Sequence, residues 1–331
     1  MKKTLLCFVA FVIATVCAAQ TTLLATLSHE GTVTVYYGAT ALSQAHTAAV
    51  HGDVITLSSG NFIATDITKA VTIRGAGMCI DSTSVVEPTV ITGDFTIDIP
   101  DSIPQRLTVE GIYSNYSIKY KNVNKPLFLK CRIKTVTDYN GSNSTIKNAC
   151  FIQCRIANCL DLHNKNCSAS CINSVIENPS CHCTDFVNCV LIRTNSYWTI
   201  SESSLKNCCI YDITNTGNLI STSTAFNCVG FGKDLFKNIT NSTNKIVSDV
   251  SALFKTYKGG DIGALDTETF HLTEAAQTAY LGLDGTQVGI YGGSMPFDPI
   301  PTNPQITKCK VAQKSTTDGK LSVDIEVKTA E

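Results

Sequence analysis

Two acidic residues and one histidine form the best candidate for chemistry in this chain. Asp161 and His163 are two residues apart, so a β-strand would place both side chains on one face. Asp185 follows about one repeat unit later. A carboxylate–imidazole pair beside a second carboxylate can move protons, as hydrolysis of a sugar bond requires. A polar turn would explain the same three residues equally well.

A second group of residues could bind a ligand without catalysing a reaction. Tyr197 and Trp198, the only tryptophan, are adjacent in a polar segment. If this segment is extended, the two rings point to opposite sides, so we expect one to pack and the other to offer a flat stacking surface. Arg155 and Arg193, with Arg132, follow apolar runs and could form a basic row. Solvated cationic side chains are the simpler interpretation.

The Cys181-His182-Cys183 motif raises the question of a metal site. Alternation along a strand would point Cys181 and Cys183 inward and His182 outward. No second pair of ligands follows at the spacing typical of zinc sites. We therefore predict no metal site and no cofactor.

The first residues predict export. Lys2 and Lys3 precede the apolar run Leu5–Val16, and small residues follow, as in a cleaved signal peptide over 1–19. Acylation of Cys17 is a less favoured alternative. Cleavage removes two lysines and no acid, which changes the net charge from −1 to −3 and argues against a nucleic-acid partner. No later stretch is apolar enough to span a membrane.

A repeat of about 20 residues must position the candidate residues. Stacked coils of short strands and turns, roughly 4.8 Å apart, explain this period. Matching Asn amides would then bond along a column, and matching Cys would fill a narrow core, mostly as buried thiols, with one or two disulfides left open. Residues 51–293 would give about 12 coils. The column consists of Asn166-Cys167, Asn188-Cys189, Asn207-Cys208 and Asn227-Cys228, with Cys150, Cys131 and Gly111 before them.

The two ends of the repeat carry more specific patterns. A helix is predicted over 39–50, followed by Gly52–Leu57, Gly60–Phe62 and Val71–Gly77. This opening resembles that of pectin-lyase-like right-handed parallel β-helix proteins. Asp284–Gly293 resembles the closing coil of exported β-helix proteins from Bacteroidetes-type bacteria. The resemblance implies an all-β fold, a single-stranded right-handed parallel β-helix with an N-terminal capping helix over residues 20–295.

Beyond residue 295 the composition changes. Four prolines between 296 and 304 indicate a stiff connector. Two alternating segments, Ile306–Val311 and Leu321–Val327, flank Asp318-Gly319 and predict a C-terminal β-hairpin within 296–331. Because two strands alone are marginally stable in water, this tail must dock on the β-helix or contact another chain.

The resembled superfamily includes polysaccharide lyases, glycoside hydrolases, esterases and non-catalytic surface proteins. A uronate lyase requires acidic ligands for Ca²⁺, and the nearest cluster, Asp94, Asp98 and Asp101, is more typical of a solvated loop. We therefore expect an exported protein, either periplasmic, on the outer surface or secreted, which is non-catalytic and contacts a polysaccharide or cell-surface glycan. The alternative is a polysaccharide lyase or glycoside hydrolase acting on an acidic or complex polysaccharide, with Ca²⁺ only in the lyase case.

Overall fold

The protein is an all-β solenoid wound from parallel strands, which confirms the predicted parallel β-helix. The predicted signal peptide lies outside the described residues. Most strands alternate buried and more exposed residues, because one face lines the core and the other faces solvent. The computed structural model describes residues 23–78, 87–139, 141–214, 216–237, 239, 243–257, 259, 268–302, 304–312 and 318–328.

The first sheet has eleven strands. From the strand Val54–Leu57 onward its nine strands are parallel, one to a coil, so the described solenoid has nine such coils where the sequence predicted about 12. In order across the sheet, the strands are β2 Thr32–Tyr37, β1 Leu24–His29, β3 Val54–Leu57, β5 Thr72–Arg74, β8 Thr108–Glu110, β10 Leu127–Leu129, β13 Ala149–Ile152, β15 Ala169–Ile172, β18 Thr184–Val187, β21 Ser204–Lys206 and β24 Thr224–Phe226.

The second sheet has 15 strands in two arms, which share three long strands that bend around a corner. The shared strands are β9 Ile112–Asn124, β11 Arg132–Asp138 and β14 Arg155–Leu162. The first arm adds β4 Gly60–Ile63, β6 Thr89–Thr92, β16 Val175–Glu177, β19 Val190–Arg193, β22 Cys209–Asp212, β25 Val229–Phe231 and β26 Lys245–Ile246. The second arm adds β7 Phe95–Asp98, β12 Thr145–Lys147, β17 Pro179–His182, β20 Ile200–Ser201 and β23 Ile220–Ser221.

Inward residues of the first sheet stack in register from coil to coil. Phe128 and Phe151 lie parallel, with ring centroids 4.9 Å apart. Burial of each large apolar side chain stabilises the fold by roughly 1.5–3 kcal/mol. The stacked positions are Ile55, Ile73, Val109, Phe128, Phe151, Cys171, Phe186, Leu205 and Ala225.

A column of left-handed residues ends each strand of the first sheet from β8 onward. Its φ angles lie between 45° and 64°, a region that Gly and Asn adopt at least cost. This explains why Asn recurs here. We call these residues the turn column: Gly111, Lys130, Gln153, Asn173, Asn188, Asn207 and Asn227.

A small buried donor follows most residues of the turn column. The Cys154 thiol donates to the carbonyls of Ile152, two residues earlier, and Phe128, one coil earlier, at 3.4 and 3.3 Å. The Ser174 hydroxyl does the same toward Ile172 and Phe151. The column therefore selects a small side chain that can donate a hydrogen bond, in addition to apolar volume. Its members are Cys131, Cys154, Ser174, Cys189, Cys208 and Cys228.

The sequence placed two cysteines in this column wrongly. Cys150 lies inside β13, and Cys167 lies in a loop before β15, where its thiol contacts the Tyr120 hydroxyl at 3.4 Å. Coil length is the reason, since 23 residues separate Lys130 from Gln153 but only 15 separate Asn173 from Asn188. The 12 cysteines from Cys131 to Cys228 are all free thiols, which resolves the disulfide question for those residues.

Residues 281–302, here called the strap, run back along the turn column. Asn173 donates to the carbonyls of Ile290 and Gly292, each at 2.8 Å. The predicted closing coil, 284–293, is thus part of the strap. We expected the Asn side chains of the turn column to bond to one another along the column, but Asn173, Asn207 and Asn227 bond to the strap. Further bonds join Asn227 to Leu281, Asn207 to Leu283, Gln153 to Pro296, Lys130 to Ile300 and Glu110 to Thr302.

The ends of the solenoid differ from its middle. Helix α1, Ala41–Ala48, packs Leu42 and Ala45 beneath β1–β4, as predicted for a cap. A second helix, α2 Glu274–Ala279, lies before the strap. The predicted hairpin is confirmed as β27 Gln305–Val311 paired with β28 Val323–Lys328, and every residue of β28 is exposed. Among the described residues, no helix has the length and apolarity needed to cross a bilayer.

Candidate functional site

Histidines recur at one edge of the second arm. Leu162 pairs with Cys181, and these inward residues precede His163 and His182 on adjacent coils. His182 in turn pairs with Ser201. The end of this arm therefore carries polar side chains at matching positions on three consecutive coils, which we call the histidine edge.

At the histidine edge, Asp161 and His163 form a close pair. Their Oδ1 and Nδ1 atoms are 2.5 Å apart, and the Thr137 hydroxyl lies 3.5 Å from the other Asp161 oxygen. The hydrogen bond that the exposed His163 imidazole donates to the Asp161 carboxylate raises the pKa of His163 above its ordinary value, against a smaller opposing effect of burial. An imidazole held in this way can exchange protons with a bound molecule. The predicted placement of both side chains on one face is therefore correct.

The third predicted catalytic residue lies elsewhere. Asp185 belongs to β18 in the first sheet, where it accepts a hydrogen bond from the Ser204 hydroxyl at 2.5 Å. Asp161 belongs to the second arm of the other sheet. The trio is therefore not assembled. Asp138 is a better second carboxylate, because its charge acts on His163 and its buried Oδ2 has no hydrogen-bond partner in the described parts of the chain.

One coil later, three potential metal ligands meet. One ligand atom from each of His182, Cys183 and Glu202 lies within 4.8 Å of the others. The His182 Nε2 atom is 3.5 Å from a Glu202 oxygen, and its Nδ1 atom is 3.3 Å from the Ser201 hydroxyl. The sequence prediction for Cys183 was wrong, since β17 ends at His182 and Cys183 turns outward with φ of 48°. The 19-residue step from Cys183 to Glu202, one coil, was the available signal.

Arg193 is buried and anchors two loops. The sequence predicted a ligand-binding or solvated side chain at this position, and the burial of Arg193 corrects that prediction. Its guanidinium is 1% exposed and binds Asp212 through two bonds, at 3.0 and 2.5 Å. It also donates to the carbonyls of Trp198 and Gly217. A bidentate pair of this kind compensates the cost of burying both charges, and the further bonds of Arg193 fix the loop 194–199 and residues 216–219 on the next coil.

Arg132 and Arg155 stack in register, but they do not form an open basic row with Arg193. Arg132 is buried, with its guanidinium 4.7 Å from the Tyr113 ring centroid. Arg155 is half-buried, donates to the Glu268 carbonyl at 2.7 Å and lies over the Phe297 ring of the strap. Both arginines therefore contribute contacts that hold the solenoid together, and the predicted ligand contact of Arg155 stays a prediction.

The loop 194–199 presents one aromatic ring to solvent. Tyr197 is 85% exposed, whereas Trp198 is half-buried. The prediction that one ring packs and the other is exposed is correct. The side chain of Asn178 holds the loop, because its oxygen accepts from the backbone N–H groups of Thr194 and Asn195 at 2.9 and 3.0 Å. Tyr197 therefore stands on an ordered loop.

The acidic cluster is divided among three lysines. Lys119 contacts Asp94 at 2.9 Å, Lys121 contacts Asp98 at 2.6 Å, and Lys147 contacts Asp101 at 2.7 Å. Each carboxylate has its own cation on a different position of the surface. The three carboxylates therefore do not converge as calcium ligands would.

Comparisons with known proteins find no matching family model, and no curated protein or solved structure is significantly similar to the chain.

Proposed function

We propose that this chain is an exported, non-catalytic parallel β-helix that binds a polysaccharide or cell-surface glycan at the corner carrying the loop 194–199. The observation that supports it most is the exposed Tyr197 ring on a loop fixed by Asn178 and Arg193. A flat aromatic face packs against the C–H groups of a sugar ring. Because the loop is already ordered, binding loses little conformational entropy.

The neighbouring surface suits an extended ligand. On the next coil, Gly217 shares the Arg193 anchor, and Ile213 is partly exposed. A groove of about 400 Å³ lies beside it, lined in part by Phe231 and Lys233. Apolar surface with a few polar groups along successive coils offers repeated contacts to a repeating polymer. Export rests on the pattern of residues 1–19, and pectin-lyase-like ancestry rests on the resemblance of 52–77; both belong to this proposal.

The test is a glycan array followed by titration with any glycan that binds. Tyr197→Ala should weaken binding about 3- to 10-fold, which corresponds to a stacking contribution of roughly 0.5–1.5 kcal/mol. Tyr116→Ala is the matched control, since Tyr116 is also exposed but lies on β9. The proposal fails if no glycan binds, or if the two variants weaken binding equally.

A polysaccharide lyase or hydrolase is the second candidate, and the Asp161–His163 pair beside Asp138 favours it. The assay measures new reducing ends and unsaturated uronates from plant and host glycans. Turnover that disappears in both Asp161→Asn and His163→Gln would replace the binding proposal with this one. Asp185→Asn is the control, because Asp185 lies on the other sheet.

A further inference from the structure

We propose that His182, Cys183 and Glu202 bind a divalent metal ion of intermediate softness, with Zn²⁺ the best match, at the histidine edge. Imidazole, thiolate and carboxylate are the ligand types that Zn²⁺ uses in proteins. The site has three protein ligands, which leaves a fourth position for water or another group.

The solenoid register brings these ligands together. His182 pairs with Ser201, so the next residues, Cys183 and Glu202, occupy the same turn position on neighbouring coils. Both have the left-handed conformation, with φ of 48° and 47°. Adjacent strands are roughly 4.8 Å apart, so two side chains at matching turns can reach one point between the coils. His182 supplies the third ligand from the strand below the turn.

Ser201 orients the imidazole for this role. When the His182 Nδ1–H donates to the Ser201 hydroxyl, 3.3 Å away, the lone pair of Nε2 faces the Glu202 carboxylate at 3.5 Å. Two electron-rich groups at that distance repel each other unless a cation or a proton lies between them. Metal-bound histidines generally donate their second ring N–H to such an orienting acceptor.

The ligands can move the short distance that a metal requires. Tetrahedral Zn²⁺, with bonds of about 2.0–2.3 Å, places its ligands roughly 3.4 Å apart, and the three atoms now lie within 4.8 Å of one another. Cys183 and Glu202 have exposed side chains, so they can adjust. Their backbone is fixed, since the Cys183 N–H donates to Ser201 and the Glu202 N–H to the Thr222 hydroxyl.

Most other thiols do not compete for the metal. Burial raises the pKa of Cys171, Cys181 and Cys208 well above the ordinary value. Among the cysteines from Cys131 to Cys228, Cys150 is half-buried, and it lies on the first sheet. Cys150→Ser is therefore the matched control for Cys183→Ser, and His163→Asn is the control for His182→Asn.

The experiment titrates the reduced full chain with Co²⁺ and then with Zn²⁺ against a chromogenic chelator. We expect one tight equivalent and a near-ultraviolet thiolate-to-cobalt band in the wild-type protein and in both controls. Cys183→Ser should abolish the band, and His182→Asn and Glu202→Gln should each weaken binding more than tenfold. Ser201→Ala should weaken it about tenfold, because only the orientation of His182 is lost.

The proposal is overturned if the wild-type protein shows no band, if Cys183→Ser keeps it, or if Cys150→Ser removes it. Unfolding of a variant is detected by circular dichroism, and Glu202→Gln tests the site even if the change at Cys183 disturbs the turn. The result is independent of glycan binding, since Tyr197→Ala should leave the metal affinity unchanged.

Discussion

The attachment of the strap depends on single amide side chains, and Asn173 is the sharpest case. This residue is 1% exposed, and its Nδ2 group donates to the Ile290 and Gly292 carbonyls at 2.8 Å each. Asn173→Gly keeps the left-handed backbone, so the loss is confined to the side chain. Two hydrogen bonds at about 1 kcal/mol each give a destabilisation of roughly 2 kcal/mol.

Replacement by aspartate separates hydrogen bonding from shape. Asn173→Asp keeps the size and tolerates the same φ, but an ionised carboxylate would face two carbonyl oxygens with no proton to donate. Burying this charge without a donor should cost more than the glycine variant, about 3–5 kcal/mol in the free energy of unfolding. The strap should then detach before the solenoid unfolds.

Denaturant unfolding and limited proteolysis of residues 281–302 measure these effects. Asn148→Gly is the control, since Asn148 has a similar φ of 51° but is exposed and makes only a 3.4 Å side-chain contact. It should change stability by less than about 0.5 kcal/mol. The reasoning is refuted if Asn173→Gly behaves like this control, or if Asn173→Asp is as stable as Asn173→Gly.

Two further predictions concern buried ionisable side chains. Burial, with a smaller effect of Lys69, lowers the pKa of His46 to about 4, and its neutral Nε2 accepts the Thr68 N–H at 3.3 Å. Because the unfolded chain takes up this proton near pH 6.5, stability should fall as the pH drops from 6.5 to 4, by an amount on the order of 2 kcal/mol. His46→Asn should reduce this dependence, measured as urea midpoints at pH 7 and 4.5; equal slopes in both proteins would contradict it. Arg193→Met should lower the free energy of unfolding by about 3–5 kcal/mol, because it leaves the buried Asp212 carboxylate without its cation. The double variant Arg193→Met/Asp212→Leu should recover much of this stability. A double variant no more stable than the single one would contradict this account of the pair.

The repeat period could be inferred from the sequence because stacked coils place the same residue types at equivalent positions. Asn188, Asn207 and Asn227 occupy left-handed turns, and Cys189, Cys208 and Cys228 follow them, as the column predicted. The register failed at Cys150 and Cys167, where coil lengths vary and a fixed step no longer locates the turn. Alternation placed Asp161 and His163 correctly because it is a local property of one strand.

The solenoid, its capping helix and the C-terminal hairpin could be predicted from the sequence, since strand periodicity and turn chemistry act between neighbouring residues or neighbouring coils. Three features became visible only in the folded chain: the burial of Arg193, the binding of the strap to the turn column, and the approach of His182, Cys183 and Glu202 to one another. The strap contacts of Asn173 join segments more than 100 residues apart, which no repeat period predicts. Arg193 and Asp212, like Cys183 and Glu202, are 19 residues or one coil apart, but the period alone does not say which side chains turn toward each other.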